Sequence, residues 1–161
     1  MMINKPLVSI MIPNYCYSTF PDQCIQSVLN QTYKNIEIFV LDNCSNGNSL
    51  DITKKYIKDV VRLFSNPINI FNRSFNIITD LAAGKYKMLL CSDDYLLPQF
   101  IEKSVSIMED YPNIGYVHAE RDNKNENGDI ISLYPFYNCS FYVKCEEVMP
   151  IYFMTPVACL S

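Results

Sequence analysis

The feature that most constrains the fold is an alternation through the first 118 residues, in which short β-branched apolar runs are separated by longer segments with helical spacing. This alternation is typical of β-α-β units, so it predicts an α/β fold with a mainly parallel sheet flanked by helices. The predicted strands are Leu7–Ile12, Ile36–Leu41, Val60–Phe64, Lys87–Cys91 and Ile114–Val117. The predicted helices are residues 21–31, 49–58, 75–82 and 101–108, where apolar side chains recur three or four positions apart.

The pattern changes after Tyr116, where a polar stretch from Arg121 to Asp129 contains the pair Asn127-Gly128. Asn-Gly is a strong signal for a tight β-turn, so we predict a hairpin at this point. A chain of 161 residues suits one domain with a single core, and we assign residues 1–161 to it. The tail from Glu146 to Ser161 has apolar residues but no closing element, so we expect the C-terminal part to be truncated.

Composition excludes several classes of protein. The net charge is −4, without a cluster of lysine or arginine, so the chain lacks the electrostatic character of a nucleic-acid binder. Its four glycines cannot form a dinucleotide-binding or P-loop motif. No apolar stretch approaches the roughly 20 residues that span a bilayer, so we expect any contact with a membrane to be peripheral or to be made by sequence outside these 161 residues.

The cysteines indicate the compartment. There are seven, an odd number, they contain no C-x-x-C pair, and nothing at the N-terminus has the pattern of a signal peptide. We therefore predict mostly reduced thiols and a cytoplasmic location, with the inner face of the membrane as the place for any peripheral contact.

Polar groups follow three of the predicted strands at the point where each strand ends. They are Pro13-Asn14-Tyr15, Asp42-Asn43-Cys44-Ser45 and Ser92-Asp93-Asp94. In an open parallel sheet the carboxyl ends of the strands share one edge, and ligands bind in the crevice outside it. We therefore expect these three groups to converge on one ligand site.

The adjacent carboxylates Asp93 and Asp94 repel each other unless a cation or a donor-rich ligand lies between them. A divalent ion that also binds phosphate oxygens would satisfy both carboxylates. The alternative is structural, with Asp94 or Ser92 capping the next helix. Two basic residues, Arg73 and Lys85, are candidate partners for a diphosphate, and the alternatives are a solvated surface arginine and a lysine that complements a helix dipole.

Asp42 and Tyr15 also have two interpretations each. A carboxylate or amide at position 42 could accept a ring N–H of an aromatic base, or it could close an Asx turn after the strand. Tyr15 could stack on the same base, or it could be one of twelve tyrosines that simply pack. The residues alone leave both alternatives open.

Five segments occur in a recognisable order and spacing: Pro6 to Tyr15, Ser27 to Tyr33, Glu37 to Ser45, Ala83 to Tyr86 and Ser92 to Asp94. Together they resemble the family 2 inverting glycosyltransferases of the GT-A fold. The resemblance covers about residues 6–112, which would be the nucleotide-sugar-binding part. Residues 113–161 would then be the start of an incomplete acceptor-side part.

The resemblance implies a nucleotide-sugar donor, usually a UDP-sugar, bound with Mn²⁺ or Mg²⁺ on its diphosphate. It also implies transfer with inversion to a glycan or lipid-linked acceptor, in the assembly of surface polysaccharide. By position, Pro13 and Tyr15 would line the base pocket, and Asp42 and Asn43 would contact the base or ribose. Together with the arguments from the residues themselves, the predicted donor-binding residues are Pro13, Asn14, Tyr15, Asp42, Asn43, Arg73 and Asp93, and the predicted metal ligands are Asp94 and Asp93.

The chain departs from the family pattern at two cysteines. Cys91 stands where many members have an aspartate, so the prediction is weaker metal binding or a shift of ligation onto Asp93 and Asp94. Cys16 stands where the family has an asparagine after the proline-tyrosine pair.

The acceptor half poses a separate question, because inverting transfer needs a general base that in this family lies in the acceptor-binding region. We expect that base beyond residue 161, since the available carboxylates match no family position: Glu120, Asp122, Glu146 and Glu147. The alternative function is a donor-binding fragment or remnant that binds nucleotide without transferring sugar. A third possibility, a nucleotidyltransferase, lacks support because there is no phosphate loop rich in glycine and lysine near the N-terminus.

Overall fold

Parallel strands and helices alternate along the described part of the chain, as the apolar pattern predicts. The computed structural model describes residues 5–17, 21–46, 48–57, 61–70, 73–119, 122–125 and 129–131. In chain order the elements are β1 (Val8–Asn14), α1 (Pro21–Leu29), β2 (Ile36–Asp42), α2 (Ser49–Lys54), β3 (Val61–Ser65), α3 (Arg73–Leu81), β4 (Tyr86–Leu89), α4 (Phe100–Asp110), β5 (Asn123–Lys124) and β6 (Ile130–Ile131).

The first four strands form one parallel sheet in the order β3-β2-β1-β4. The chain adds β2 and β3 on one side of β1 and then crosses over to add β4 on the other side. The topological switch point therefore lies between β1 and β4, which is where ligands bind in open α/β sheets. Asn14 at the end of β1 is opposite Asp42 at the end of β2, so the ends of these two strands are level.

Helices cover both faces of the sheet, because the central strands are apolar on both sides. One core cluster joins alternate residues of β1 and β2 to α1 and α4, and it includes Ile10, Ile12, Ile38, Val40, Cys24, Ile25, Ile101 and Val105. The second cluster lies on the opposite face and consists of Met11, Phe39, Leu41, Ile78 and Ala82. Since Ile78 belongs to α3, the sheet is held between α1 and α4 on one face and α3 on the other.

The amino end of the sheet is held by a buried carboxylate. Glu37 Oε1 accepts hydrogen bonds from Ser9 Oγ at 2.6 Å and from the Ala83 backbone N–H at 2.9 Å. Ser9 Oγ in turn accepts from the Gly84 N–H at 2.8 Å. A Cβ on Gly84 would lie 2.6 Å from Ser9 Oγ, 2.7 Å from Ser9 N and 2.9 Å from the Leu7 carbonyl oxygen, so only glycine fits there.

The prediction of a strand at Ile114–Val117 is wrong. These residues follow α4 as a turn and loop, and Tyr116 is 46% exposed. The run contains Gly115, which weakens a strand, and a Cβ at that position would meet nothing within 4 Å. A short apolar run that stays partly or fully exposed therefore does not add a strand to the sheet.

The predicted hairpin is confirmed, because β5 and β6 pair antiparallel with Lys124 opposite Ile130. Its turn pair Asn127-Gly128 lies outside the described residues. The tail from Glu146 to Ser161, which we expected to be truncated, also lies outside them.

Candidate functional site

A buried polar network joins the ends of β1 and β2. Asn14 and Asp42 are 2% and 1% exposed, and the Asn14 amide donates to Asp42 Oδ1 at 2.9 Å. The Ser45 backbone N–H donates to Asp42 Oδ2 at 2.9 Å. Asp42 thus closes the turn after β2 through the N–H three residues on, one residue further along than in the Asx turn considered from the sequence. Ser45 Oγ accepts from the Cys16 N–H at 2.8 Å. Asp42 therefore has a structural role in fixing the loops that follow both strands.

One atom of this network lacks a donor. Asn14 Oδ1 is buried and has no hydrogen-bond partner among the residues that the structure describes. An unsatisfied buried acceptor costs about 1–3 kcal/mol. Turning the amide over would place this oxygen against the Asp42 carboxylate, so the neighbouring charge fixes the amide in its orientation. Unsatisfied groups of this kind require an explanation, and a ligand is one.

Asn43 contacts the loop between β3 and α3. Its amide donates to Asn69 Oδ1 at 2.7 Å, and its Oδ1 accepts from Asn66 Nδ2 at 3.1 Å and from the Ile70 N–H at 3.1 Å. The side chain thus anchors the loop that leads into α3. Arg73 is the first residue of that helix and is exposed, at the same edge of the sheet as Asn43.

Two non-glycine residues at this edge have left-handed backbone conformations. Cys16 follows β1 with φ 57°, and Cys44 follows β2 with φ 65°. Asparagine tolerates this region better than most residues, so the asparagine that the resemblance implies at position 16 would suit this backbone conformation. Such conformations often occur where loops are shaped for a ligand.

Asp93 and Asp94 lie in a turn after β4, at the same edge. The Asp94 N–H donates to the Cys91 carbonyl oxygen at 3.0 Å, which closes the turn. One ligand atom each from Cys91, Asp93 and Asp94 lies within 4.8 Å of the others. The two predicted metal ligands are thus brought together, and Cys91 joins them.

The alternative of a helix cap is wrong for Ser92 and Asp94. The helix α4 begins at Phe100, and Gln99 occupies its N-cap position. Five or more residues therefore separate the acidic turn from the helix that it was expected to cap. Ser92, which is 2% exposed, is therefore buried as part of the turn and not as a helix cap.

Helix α1 holds the acidic turn through Cys24. The Cys24 thiol donates to the Cys91 carbonyl oxygen at 3.5 Å. Burial raises the pKa of Cys24 above its ordinary value, and the negative charges of Asp94, Cys91 and Asp93 raise it further. Cys24 therefore stays protonated and continues to donate.

Ser27 and Gln31 hold the segment that follows the acidic turn, and the sequence did not identify this role. Ser27 Oγ accepts from the Leu96 N–H at 3.0 Å. Gln31, which is 0% exposed, donates to the Leu97 carbonyl oxygen at 2.8 Å and accepts from the Ile101 N–H at 3.0 Å. The sequence did contain one signal for this role, a glutamine directly after an amphipathic helix. A glutamine in such a position is buried only if its amide has hydrogen-bond partners.

Lys85 lies at the opposite edge of the sheet, directly before β4. Its Nζ is 2.5 Å from Glu109 Oε1, and this hydrogen bond raises the pKa of Lys85 above its usual value. The Tyr86 hydroxyl bonds the same oxygen. The structure thus does not bring Lys85 to the predicted diphosphate site, whereas the strand ends converge there as expected.

The model of the family described as "Glycosyl transferase family 2" matches residues 9–156. The chain belongs to this family. Hyaluronan synthase from Pasteurella multocida is 32% identical over 133 residues, which cover 81% of this chain and 14% of that protein. The chain spans between 13% and 46% of the length of eight curated relatives.

Two solved structures share the fold. Residues 1–349 of S. aureus TarS in complex with UDP-GlcNAc match with a TM-score of 0.62 and 20% identity, over 66% of this chain and 32% of that one. The mannosyltransferase PcManGT from Pyrobaculum calidifontis, in complex with GDP-Man and Mn²⁺, matches with a TM-score of 0.63 and 15% identity, over 68% and 34%. The mainly parallel sheet with flanking helices is therefore the predicted GT-A fold.

In the part of the chain that the structure describes, no helix is long and apolar enough to cross a bilayer.

Proposed function

We propose that this protein is a glycosyltransferase that transfers a sugar from a UDP-sugar to a glycan or lipid-linked acceptor with inversion, in the synthesis of a polysaccharide. Membership of glycosyl transferase family 2 supports the reaction class. The similarity to a hyaluronan synthase supports the synthesis of a polysaccharide, and the complex of TarS with UDP-GlcNAc supports a UDP-sugar as donor for a chain of this fold. The observation that carries the proposal is the convergence of two groups at one sheet edge: the Asn14–Asp42 network, and Cys91 with the two aspartates.

The end of β1 is proposed to bind the base of the donor. Tyr15 is 47% exposed, so its ring is available for stacking, and Pro13 directly precedes the buried Asn14. Each oxygen of the Asp42 carboxylate accepts one of the two bonds described above, and a carboxylate oxygen has room for a second. A base N–H that reached this network would find a free acceptor in Asn14 Oδ1, which has no donor among the described residues. Asn43 would act beside it by holding the loop.

The acidic turn is proposed to hold Mn²⁺ or Mg²⁺ on the donor diphosphate, with Asp94 and Asp93 as ligands. The chemistry of the donor set fits, because two carboxylates and phosphate oxygens are typical ligands of these ions. When bound, such an ion stabilises the charge that develops on the leaving diphosphate. Arg73, exposed at the start of α3 on the same edge, would add a second positive charge.

Two further parts of the proposal rest on the sequence. A general base in the acceptor-binding part completes the inverting reaction, as we expected from the family. Of the four carboxylates weighed above, Asp122 is exposed, and Glu120, Glu146 and Glu147 lie outside the described residues. A cytoplasmic location is supported by the odd cysteine count, and the inner face of the membrane is the proposed place for any peripheral contact.

The test is calorimetric titration of UDP into the reduced protein, with Mn²⁺ and with a chelator. We expect binding that depends on Mn²⁺, a loss of at least about tenfold in affinity in Asp94→Ala, and no change in Asp110→Ala. Asp110 is the matched control because it is an exposed aspartate at the far end of α4. Absence of UDP binding with any divalent ion would contradict the proposal. Binding without transfer from any UDP-sugar would favour the donor-binding remnant.

A further inference from the structure

We propose that the Cys91 thiolate is a direct ligand of the metal ion at the acidic turn, and that it makes the site prefer thiophilic divalent ions to Mg²⁺. The inference deepens the proposed function and rests on it for the role of the ion. It replaces the expectation that a cysteine in place of the family's aspartate simply weakens the site. It concerns Cys91, where this chain departs from the family pattern, and the selectivity among ions that follows from it.

The geometry brings sulfur and oxygen donors to one point. The ligand atoms of Cys91, Asp93 and Asp94 all lie within 4.8 Å of one another. Two ligands of one ion, at bond lengths of about 2.0–2.3 Å, are at most about 4.6 Å apart. A small rotation of the side chains is therefore enough for all three to reach a common ion.

The backbone explains why these three side chains meet. The turn from Cys91 to Asp94 is closed by a hydrogen bond of 3.0 Å between the Asp94 N–H and the Cys91 carbonyl oxygen. The Cys24 thiol donates to the same carbonyl oxygen from α1, and Leu90 just before the turn is 0% exposed. The backbone at the start of the turn is thus anchored to α1 and to the core, which fixes the positions from which the three side chains extend.

The donor set is mixed in chemical softness. Mg²⁺ binds oxygen ligands and gains little from sulfur, whereas Cd²⁺, Zn²⁺ and Co²⁺ form strong bonds to thiolate. Binding replaces the proton on Cys91 Sγ, which passes to solvent, so the ligand carries the same charge as the aspartate of the family pattern. The site therefore keeps the charge of a three-carboxylate set and changes its preference among ions.

The experiment uses the metal alone as its probe. Co²⁺ and Cd²⁺ are titrated into the reduced protein, and the ultraviolet charge-transfer absorption between thiolate and metal is recorded. We expect the absorption in the wild type and in Cys16→Ser, which removes an exposed thiol outside the cluster. We expect Cys91→Ser to lose it and to bind Cd²⁺ at least about tenfold more weakly.

A second variant, Cys91→Asp, keeps the charge and removes the sulfur. It should lose the charge-transfer absorption and bind Mg²⁺ at least as well as the wild type does, which reverses the preference among ions. Circular dichroism of each variant confirms that it is folded before the titrations are compared. The proposal would be overturned if the wild type and Cys91→Asp bound Cd²⁺ with the same affinity as each other, and likewise Mg²⁺.

Titration of UDP in the same samples separates the two proposals. If UDP binds with Mn²⁺ while Cys91→Ser gives the same absorption as the wild type, the ligand role of Cys91 is wrong and the donor site stands. If the absorption depends on Cys91 and UDP never binds, the ligand set stands and the proposed function fails.

Discussion

The two ends of the parallel sheet differ in whether their buried polar groups have hydrogen-bond partners among the described residues. At the amino end, one oxygen of Glu37 accepts from Ser9 Oγ and from the Ala83 N–H, and Ser9 Oγ accepts from the Gly84 N–H. At the carboxyl end, Asn14 Oδ1 is equally buried but has no partner among the described residues. Among the described residues, the amino-end groups bond one another, whereas the carboxyl end keeps one buried acceptor without a donor.

Charge shows the same contrast. Glu37 is a single carboxylate with donors around it and the Arg62 guanidinium 3.8 Å away. At the carboxyl end, Asp93 and Asp94 lie side by side with the Cys91 thiol within 4.8 Å. Like charges at this spacing repel one another, and a bound cation would relieve that repulsion. The comparison therefore supports the proposal that the carboxyl end binds the ligand while the amino end stabilises the fold.

The largest effect should come from filling the space at the amino end. Gly84→Ala places a Cβ within 3 Å of the Ser9 backbone nitrogen, the Ser9 hydroxyl and the Leu7 carbonyl oxygen. Two of these three atoms belong to the backbone, so the segment at Gly84 must move away from the start of β1. We expect a loss of about 3 kcal/mol in the free energy of unfolding, measured by urea denaturation. Gly115→Ala is the matched control and should change it by less than about 0.5 kcal/mol, because nothing lies within 4 Å. Equal effects of the two substitutions would contradict the close packing at Gly84.

The next effect comes from removing the carboxylate of the amino end. Glu37→Ala leaves the Ser9 hydroxyl and the Ala83 N–H without their acceptor, so we expect a loss of about 2 kcal/mol in the free energy of unfolding. Glu37→Gln should recover most of it, because both hydrogen bonds end on the same oxygen. Neither variant should alter UDP affinity in the presence of Mn²⁺. A loss of UDP binding in a folded Glu37→Gln variant would mean that the two ends are not separate in function.

The smallest effect concerns the pH dependence of stability through Cys24. Burial first, and then the charges of Asp94, Cys91 and Asp93, raise the pKa of this thiol in the folded state. A raised pKa contributes stability below the pKa of the unfolded chain, about 8.5, which is lost as the pH rises above it. We expect the wild type to lose about 1 kcal/mol more than Cys24→Ser between pH 7 and pH 9, measured by urea denaturation under reducing conditions. Identical pH profiles would show that Cys24 ionises as readily folded as unfolded.

The sequence predicts what depends on local pattern. The four strands of the sheet lie within two residues of their predicted ends, because β-branched runs of this length have few other stable arrangements. The position of Asp42 and Asp94 at one edge follows from parallel strands alone. The run Ile114–Val117 misled the prediction, since its pattern does not show whether a neighbouring strand or helix will cover it.

Contacts between distant residues are what the sequence could not provide. Gln31 bonds the Leu97 carbonyl oxygen and the Ile101 N–H, and the separations of 66 and 70 residues leave no local signal. Asn43 binds the loop at Asn69 and Ile70 for the same reason. Cys91 was read as the loss of an aspartate because only the folded turn shows its sulfur beside both carboxylates.

The most direct test of the account is to locate the bound Mn²⁺ and UDP by NMR on the isotope-labelled protein. Mn²⁺ broadens signals near it, so with UDP we expect the amide signals of residues 91–94 to disappear first and those of Ser45 and Cys16 to weaken. The amides of Ala83, Gly84 and Glu37, at the other end of the sheet, should stay sharp. Broadening centred on the amino end, or spread evenly over the acidic surface, would contradict the assignment of ligand binding to the carboxyl end.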